Sequence, residues 1–243
     1  MDDHELAADI AREAGELLLE LQAKQATKDE GDRLSNDLIL DRLARARPED
    51  AVLSEESKDD RIRLERERVW IVDPLDGTRE FGEPGRSDWA VHVALVVHGT
   101  PYACAVALPA QDDTVMATLP APTLAPPHNG KMRLLVSRTR PPKLAEYLAG
   151  VLDAELVPLG SAGAKTMAVV QGHADVYAHS GGQYEWDSAA PVGVAAAAGC
   201  HTSRLDGSPL VYNQADVYLP DLLVCRPELA ATVLAAIRDA PDD

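Results

Sequence analysis

The first part of the chain has apolar residues at helical spacing. Apolar positions such as Leu6 and Ile10 recur every three or four residues and predict an amphipathic helix over residues 3–22. A second helix is predicted over about 34–45, where Pro48 follows and closes it. The chain is therefore expected to open with a pair of helices, each with one buried face.

After the second helix, apolar residues cluster in short runs, which is typical of strands. The candidate strands of this half read AVLSEE, VWIVD, WAVHVALVVHG, YACAVALPA and DTVMATL. Gly99 to Pro101 form a hairpin-like turn between the third and the fourth. The proline-rich stretch at 120–130 is the best candidate for a linker.

Beyond the linker, strand-like and helix-like segments alternate. The predicted strands read MRLLVS, AELVPLG, ADVYAH and DLLVCR, and the predicted helices read PKLAEYLAGVL, AGAKTMAVVQG, SAAPVGVAAAAG and PELAATVLAAIRD. Such alternation indicates an α/β lobe with some parallel sheet. We therefore expect an N-terminal α+β lobe over residues 1–130 and a C-terminal α/β lobe over 131–243.

Composition narrows the functional classes. The chain has 243 residues, 46% of them apolar, and a formal net charge of −17. This charge excludes long nucleic acids as natural partners, whereas a small phosphorylated ligand can bind if cations offset the field. Neither a membrane span nor a signal peptide is predicted, so a cytoplasmic location is expected. The three cysteines have no metal-binding spacing and are expected to be buried thiols.

Two carboxylates end the strand VWIVD. Asp73 and Asp76 lie three positions apart, with Pro74 between them and Gly77 directly after. Carboxylates held so close repel each other unless a cation lies between them, and hard oxygen ligands favour Mg²⁺ or Mn²⁺. The alternative is an ordinary turn, since Asp-Pro and Asp-Gly pairs are common in turns.

Further acids stand at the ends of other predicted elements. Glu55 and Glu56 end the short strand AVLSEE, and Asp187 precedes a helix of small residues. Asp187 could cap that helix, and capping is compatible with metal binding because a carboxylate has two oxygens. These acids extend the possible metal site beyond a single turn.

Three segments carry a family resemblance. They read Glu55-Glu56, Asp73-Pro74-Leu75-Asp76-Gly77-Thr78 and Trp186-Asp187-Ser188-Ala189-Ala190. Together they resemble the signature of the lithium-sensitive, magnesium-dependent phosphatases, which include inositol monophosphatases, fructose-1,6-bisphosphatases and 3′-phosphoadenosine-5′-phosphate (PAP) phosphatases. The resemblance spans nearly the whole chain and implies an α/β fold, the layered α/β/α/β/α sandwich of this family.

Looser motifs resemble the CysQ branch of that family, the PAP phosphatases. These motifs are Gly31-Asp32-Arg33-Leu34-Ser35-Asn36, Leu135-Val136-Ser137-Arg138, Gly160-Ser161-Ala162-Gly163-Ala164-Lys165 and Ala174-Asp175-Val176-Tyr177. The implied reaction is hydrolysis of the 3′-phosphate of PAP to AMP and phosphate, with 3′-phosphoadenosine-5′-phosphosulfate (PAPS) as a further candidate substrate. Inositol 1-phosphate and fructose 1,6-bisphosphate remain alternatives, as does a non-catalytic metal- or nucleotide-binding protein.

The resemblance also implies roles for individual residues. Glu55, Asp73 and the carbonyl of Leu75 would hold one Mg²⁺, and Asp73, Asp76 and Asp187 a second, with a weaker third ion near Glu55. Mn²⁺ could substitute and Li⁺ would inhibit. Thr78 and Asp32 would take the proton from the attacking water. Asp32 could instead cap the second helix.

Substrate contacts are expected around the predicted loops of both lobes. The backbone N–H groups of Gly77 and Thr78 would face the phosphate, and four further contacts would come from Ser137, Arg138, Ser161 and Lys165. Two features depart from the family pattern: the Gly-Ser loop is one residue longer than the usual Gly-Ser-Ser-Leu-Lys, and His179 stands where an Arg is usual. The expected partner is a small phosphorylated substrate. The protein itself is expected to be a monomer or a homodimer.

Overall fold

Two five-stranded sheets and seven α-helices stack in layers. The structure is a computed structural model and describes residues 1–112, 114–139 and 141–241. The two N-terminal helices cover one face of the first sheet, two helices of the C-terminal half lie between the two sheets, and two more cover the far face of the second. This order is the predicted α/β/α/β/α sandwich.

The two N-terminal helices form as predicted, but the second begins earlier. Helix α1 spans Asp3–Ala23 and α2 spans Lys28–Ala46. Thr27 caps α2, and its hydroxyl and the Glu30 carboxylate form a reciprocal capping box. The polar first turns carry no apolar periodicity, so the sequence pattern placed the start too late.

The first sheet comes from the N-terminal half. Its strands are β1 (Ala51–Ser54), β2 (Arg68–Asp76), β3 (Ala90–Val97), β4 (Thr100–Leu108) and β5 (Thr114–Ala117), which neighbour one another in that order. Strands β1 and β2 are parallel and the other pairs antiparallel. All five predicted strands are present, although residue 113, where the fifth was predicted to begin, lies outside the described residues. A 3₁₀ turn at Ile62–Glu65 precedes β2, and the single-turn helix α3 (Thr78–Phe81) follows it.

The second sheet comes from the C-terminal half. Its strands are β6 (Arg133–Ser137), β7 (Glu155–Leu159), β8 (Val176–Tyr184), β9 (His201–Ser203) and β10 (Tyr218–Cys225), in the order β7-β6-β8-β10-β9. Strand β6 runs parallel to β7 and β8, which confirms the predicted partly parallel sheet. The helices are α4 (Lys143–Val151), α5 (Ala162–Val170), α6 (Glu185–Ala197) and α7 (Ala230–Arg238), and Pro227–Leu229 form a 3₁₀ turn before α7.

The largest apolar core joins the two halves. It includes Val69 and Val106 of the first sheet, Met167 of α5, and Leu135 and Val224 of the second sheet. The stretch 120–130 has neither helix nor strand, yet its backbone is held, because the Ala125 N–H donates to Val170 of α5 at 2.9 Å. The predicted division near residue 130 thus separates two sheets that share a core.

The edges of both sheets are short or broken. Edge strands β1 and β5 have four residues each, and β9 has three. The remaining edge, β7, carries the charged Glu155 and contains Pro158, which has no N–H to donate. Charged residues, proline and short length are the usual features that prevent edge pairing. Within the described residues, no helix is both long and apolar enough to cross a membrane.

Candidate metal centre and substrate cleft

Asp73 and Asp76 lie on the same strand, on either side of an irregularity. The sequence predicted a strand ending at Asp73, but β2 continues to Asp76, with a shift in its pairing to β3 between the two. Pro74 lies at this shift, where a missing N–H is tolerated. The carboxylate of Asp73 accepts the Leu75 N–H at 3.0 Å, and the Pro74 carbonyl accepts the Ser35 hydroxyl at 2.8 Å. The backbone that presents both acids is thus fixed locally.

Asp187 lies inside helix α6, so the predicted capping role is wrong. Helix α6 begins at Glu185 after Tyr184, and the Asp187 carboxylate reaches back to accept the Tyr184 N–H at 2.6 Å. This is the position of the third helical residue in a capping box, one turn inside the helix. The bond uses one carboxylate oxygen and orients the other.

The structure brings three of the predicted ligands together. Asp73, Asp76 and Asp187 each offer an oxygen within 4.8 Å of the others. Asp73 and Asp76 are buried and Asp187 is half-buried. Glu55 directly follows β1, and its N–H donates to Val72 of β2 at 3.3 Å. The residue is exposed overall, but its carboxylate lies beside Asp73 and is partly shielded from solvent there. Glu55 therefore lies at the rim of the three-acid cluster.

Crowding raises the pKa of most of these acids. Burial, and then the nearby Glu55, raise the pKa of Asp73 well above its ordinary value. Burial and the Asp187 charge raise the pKa of Glu55 to about 7, and burial and the Asp76 charge raise that of Asp187 to about 6. Ionised carboxylates at this spacing require a compensating cation. The all-oxygen donor set fits Mg²⁺ or another hard divalent cation.

Asp76 differs from its neighbours because several donors point at it. Its Oδ2 accepts the Ser161 hydroxyl at 2.5 Å and the Gly163 N–H at 2.7 Å. Burial alone raises the pKa of Asp76, but His92 and these two donors outweigh burial and lower it to about 2. Asp76 is therefore the acid of the cluster that stays ionised most readily.

Leu75, Gly77 and Thr78 follow directly on the strand. The Thr78 hydroxyl donates to the Leu75 carbonyl at 3.2 Å. Gly77 precedes α3 at φ 86°, a left-handed backbone conformation that favours glycine. A Cβ at this position would also come within 3.2 Å of the Ser161 Cβ, so the glycine permits close approach of the two segments.

Asp32 does not cap helix α2, because Thr27 does. It lies in the second turn of α2 and is half-buried. Burial, and then the Glu56 charge, raise its pKa to about 7. In the described part of the chain, the recorded partner of the Thr78 hydroxyl is Leu75, and no hydrogen bond joins Thr78 to Asp32. The predicted link between the two residues stays a prediction.

A cleft of about 230 Å³ gathers all the predicted substrate contacts. Its walls come from α3, the end of β6 and the start of α5. The lining residues include Gly77, Thr78, Ser137, Arg138, Ser161 and Lys165. Larger cavities exist elsewhere, but this one adjoins Asp76 through Ser161.

The side chains of Ser161 and Lys165 both form hydrogen bonds within the protein. Ser161 caps α5 by accepting the Ala164 N–H at 2.9 Å, while its hydroxyl donates to Asp76. Lys165 is buried, and its Nζ donates to the carbonyls of Gly160 and Ser161 at 2.8 and 2.7 Å. Burial lowers the pKa of Lys165. Its charge therefore lies beneath the loop at the start of α5.

The segment 80–89 supports the cleft through contacts with Arg138 and Gly160. Glu80 and Glu83 each accept a hydrogen bond from Arg138 at 2.8 Å, which fixes the guanidinium. Asp88 accepts the Gly160 N–H at 2.6 Å. No sequence pattern indicated this role, because the contacts join positions far apart along the chain.

One residue of the site was missed altogether. His92 lies in the middle of β3 and is fully buried. Its Nε2 is 3.2 Å from Asp76 Oδ2, and its Nδ1 donates to the Trp186 carbonyl at 3.0 Å. Burial lowers the pKa of His92, but the Asp76 charge and the polar contacts with Asp76 and Trp186 together outweigh burial and raise it. A single histidine in an apolar strand carries no spacing signal, which is why the sequence did not reveal it.

The layered fold and the cluster of acids beside a small polar cleft match the class of phosphatases that the sequence resembles. The inositol monophosphatase family matches residues 3–241. The chain belongs to this family.

Curated relatives and solved structures agree. The chain is 52% identical to a 3′-phosphoadenosine 5′-phosphate phosphatase of Mycobacterium leprae, over 98% of this chain and 94% of that one. It is 29% identical to the 3′(2′),5′-bisphosphate nucleotidase CysQ of Escherichia coli K12, over 86% and 94%. The crystal structure of CysQ from Bacteroides thetaiotaomicron superposes with a TM-score of 0.77 at 26% identity, covering 92% of this chain and 96% of that one. An inositol monophosphatase from Anabaena, 21% identical, covers 98% and 96% with a TM-score of 0.78 and supports the fold.

Proposed function

We propose that this protein is a Mg²⁺-dependent phosphatase that hydrolyses the 3′-phosphate of PAP, giving AMP and phosphate. The observation that carries the proposal is the convergence of three carboxylates within 4.8 Å beside the cleft that holds every predicted substrate contact. The identity of 52% to a PAP phosphatase supports the choice of substrate.

Asp73, Asp76 and Asp187 would hold the cations, with Glu55 at the rim and the Leu75 carbonyl completing the set. Two or three Mg²⁺ ions are proposed, with Mn²⁺ as a substitute. When bound, such cations neutralise the phosphate, make water more acidic and stabilise the departing oxygen. The raised pKa values of Asp73, Glu55 and Asp187 support this assignment, since burial and then mutual repulsion raise them and a bound cation would offset both.

Thr78 and Asp32 are proposed to take the proton of the attacking water. The pKa of Asp32, raised to about 7, suits a group that accepts a proton near neutral pH. To take part, the Thr78 hydroxyl must turn away from the Leu75 carbonyl to which it now donates. The backbone N–H groups of Gly77 and Thr78 would hold the oxygens of the phosphate.

The remaining cleft residues would orient the nucleotide. Arg138 is held by Glu80 and Glu83, so its guanidinium is already oriented before a substrate arrives. Ser137 ends β6 directly before Arg138, and Ser161 and Lys165 line the cleft from the start of α5. We propose that this side binds the sugar and the phosphate that is not cleaved.

Several coarser predictions stay part of the proposal. We propose two lobes: residues 1–130 carry most metal ligands, and residues 131–243 supply one metal ligand and substrate contacts. PAPS is a further candidate substrate, and a cytoplasmic monomer or homodimer is expected.

The test is a screen of phosphate release from PAP, PAPS, inositol 1-phosphate and fructose 1,6-bisphosphate at one Mg²⁺ concentration. PAP should be preferred by at least about tenfold in kcat/KM. Asp76→Ala and Asp187→Ala should abolish release while the fold survives, whereas Asp37→Ala, at an exposed acid paired with Arg33, should not. Preference for inositol 1-phosphate would refute the assignment of PAP as the substrate. Metal binding without any turnover would favour the non-catalytic alternative.

A further inference from the structure

The imidazole of His92 joins two segments that carry proposed metal ligands. His92 lies opposite Asp73 in the β2–β3 pairing, and its side chain is fully buried. One ring nitrogen, Nε2, is 3.2 Å from Asp76 Oδ2. The other, Nδ1, is 3.0 Å from the carbonyl of Trp186, the residue directly before Asp187. A carbonyl can only accept, so Nδ1 carries the proton of that bond.

The contacts of His92 therefore reach both halves of the chain. Asp76 belongs to the first sheet, and Trp186 lies in the first turn of α6. Every recorded hydrogen bond and ion pair of the Asp76 carboxylate, among the described residues, falls on Oδ2. Oδ1 is thus the oxygen left for a cation.

Gly163 makes room for the ring. A Cβ at residue 163 would lie 2.1 Å from His92 Nε2, a distance that real Cβ atoms do not adopt. The N–H of Gly163 donates to Asp76 Oδ2 at 2.7 Å. Gly163 is the second residue of α5 and directly follows the turn at Gly160 and Ser161. The His92 ring therefore fills the volume that a side chain at residue 163 would need.

We propose that His92 is a positioning residue, which with Gly163 fixes the carboxylates of Asp76 and Asp187 relative to each other for cation binding. This inference rests on the proposed function in taking those acids as metal ligands. Residues that orient metal ligands from behind typically contribute 10–100-fold to metal affinity. The rival explanation is a core histidine that only fills space, with Ser161 and Gly163 sufficient to hold Asp76.

The test measures Mn²⁺ binding, which does not depend on turnover. Metal-free wild type, His92→Ala, His92→Asn and His92→Gln are titrated with Mn²⁺ and followed by electron paramagnetic resonance, after circular dichroism has shown that each is folded. Asn retains an amide near the Nδ1 position, whereas Gln extends one to the Nε2 position. The matched control is His98→Asn, since His98 is exposed in the turn after the same strand.

We expect the dissociation constant for Mn²⁺ to rise roughly 10–100-fold in His92→Ala. His92→Asn should lose about tenfold, because it loses the contact with Asp76, and His92→Gln should recover part of the loss. The concentration of Mg²⁺ needed for half-maximal PAP hydrolysis should rise in parallel, while the KM for PAP at saturating Mg²⁺ stays near wild type.

Unchanged Mn²⁺ affinity in folded His92→Ala or His92→Asn would overturn the proposal. Failure of all three variants to fold would make His92 a packing residue and would overturn it equally. If wild type bound Mn²⁺ but did not hydrolyse PAP, the proposed function would fail. The comparison of Mn²⁺ affinities would still decide the role of His92.

Discussion

The substitution Asp187→Asn should make the metal-free protein more stable. Burial and the Asp76 charge raise the pKa of Asp187 from 3.8 to about 6. This rise lowers the acid dissociation constant of Asp187 roughly a hundredfold. Since each factor of ten corresponds to about 1.4 kcal/mol, ionising Asp187 costs about 3 kcal/mol more in the folded protein than in the unfolded chain. Because Asp187 is half-buried, solvent screening reduces this to about 1–3 kcal/mol.

The cost depends on pH with a definite sign. Below the unfolded-state pKa of about 4, Asp187 is protonated in both states and nothing is lost. As pH rises through the folded-state pKa of about 6, the folded protein must release a proton that the unfolded chain has already lost. The stabilising effect of Asn should therefore be absent near pH 4 and complete at pH 8. An Asn oxygen can still accept the Tyr184 N–H, so the helix contact is retained.

The assay is thermal unfolding followed by circular dichroism at pH 4.5 and pH 8, with EDTA or with Mg²⁺. In EDTA at pH 8, the Tm of Asp187→Asn should exceed that of wild type by roughly 3–10 °C. Adding Mg²⁺ should raise the Tm of wild type and have little effect on the variant. Asp37→Asn, at an exposed acid, should behave as wild type. An Asp187→Asn variant no more stable than wild type in EDTA at pH 8 would refute the reasoning.

Three further predictions concern inhibition, acid stability and the cleft. Li⁺ at millimolar concentrations should inhibit PAP hydrolysis; a flat dose response would exclude it. Burial raises the pKa of Asp3, but hydrogen bonds from Arg68 and Arg47 outweigh it and lower that pKa. Asp3→Asn should therefore lower the free energy of unfolding by up to about 1 kcal/mol above pH 4 and leave it unchanged well below pH 4. Urea unfolding at both pH values tests this. Gly160→Ala places a Cβ 2.3 Å from the Glu80 side chain and should cost about 1–3 kcal/mol and raise the KM for PAP; unchanged values would contradict it.

Much of the architecture follows from local pattern. The alternation of apolar and polar positions predicted nine of the ten described strands, because a buried face leaves a periodic pattern in the sequence, whereas the layered arrangement was implied by the family resemblance. Helix α2 was placed late because its first turns are polar and only Thr27 and Glu30 mark its start. Strand β9 was missed because three residues carry too little pattern.

Site residues were predictable from the sequence where they lie close together along the chain. Asp73 and Asp76 were visible as a close pair, and their convergence with Asp187 agrees with the prediction. The roles of His92 and the segment 80–89 were not visible, because each depends on contacts between distant parts of the chain. The capping assignments of Asp32 and Asp187 failed because a polar residue near a helix start can occupy several positions, and local sequence does not separate them.

The sheet edges limit how copies of this protein can associate. Newly made or concentrated chains commonly join by adding one strand to the border of another molecule's sheet, which begins aggregation. Here the borders offer three to five residues each, and Pro158 breaks the longest of them. We therefore expect the folded protein to resist growth into continuous intermolecular β-structure.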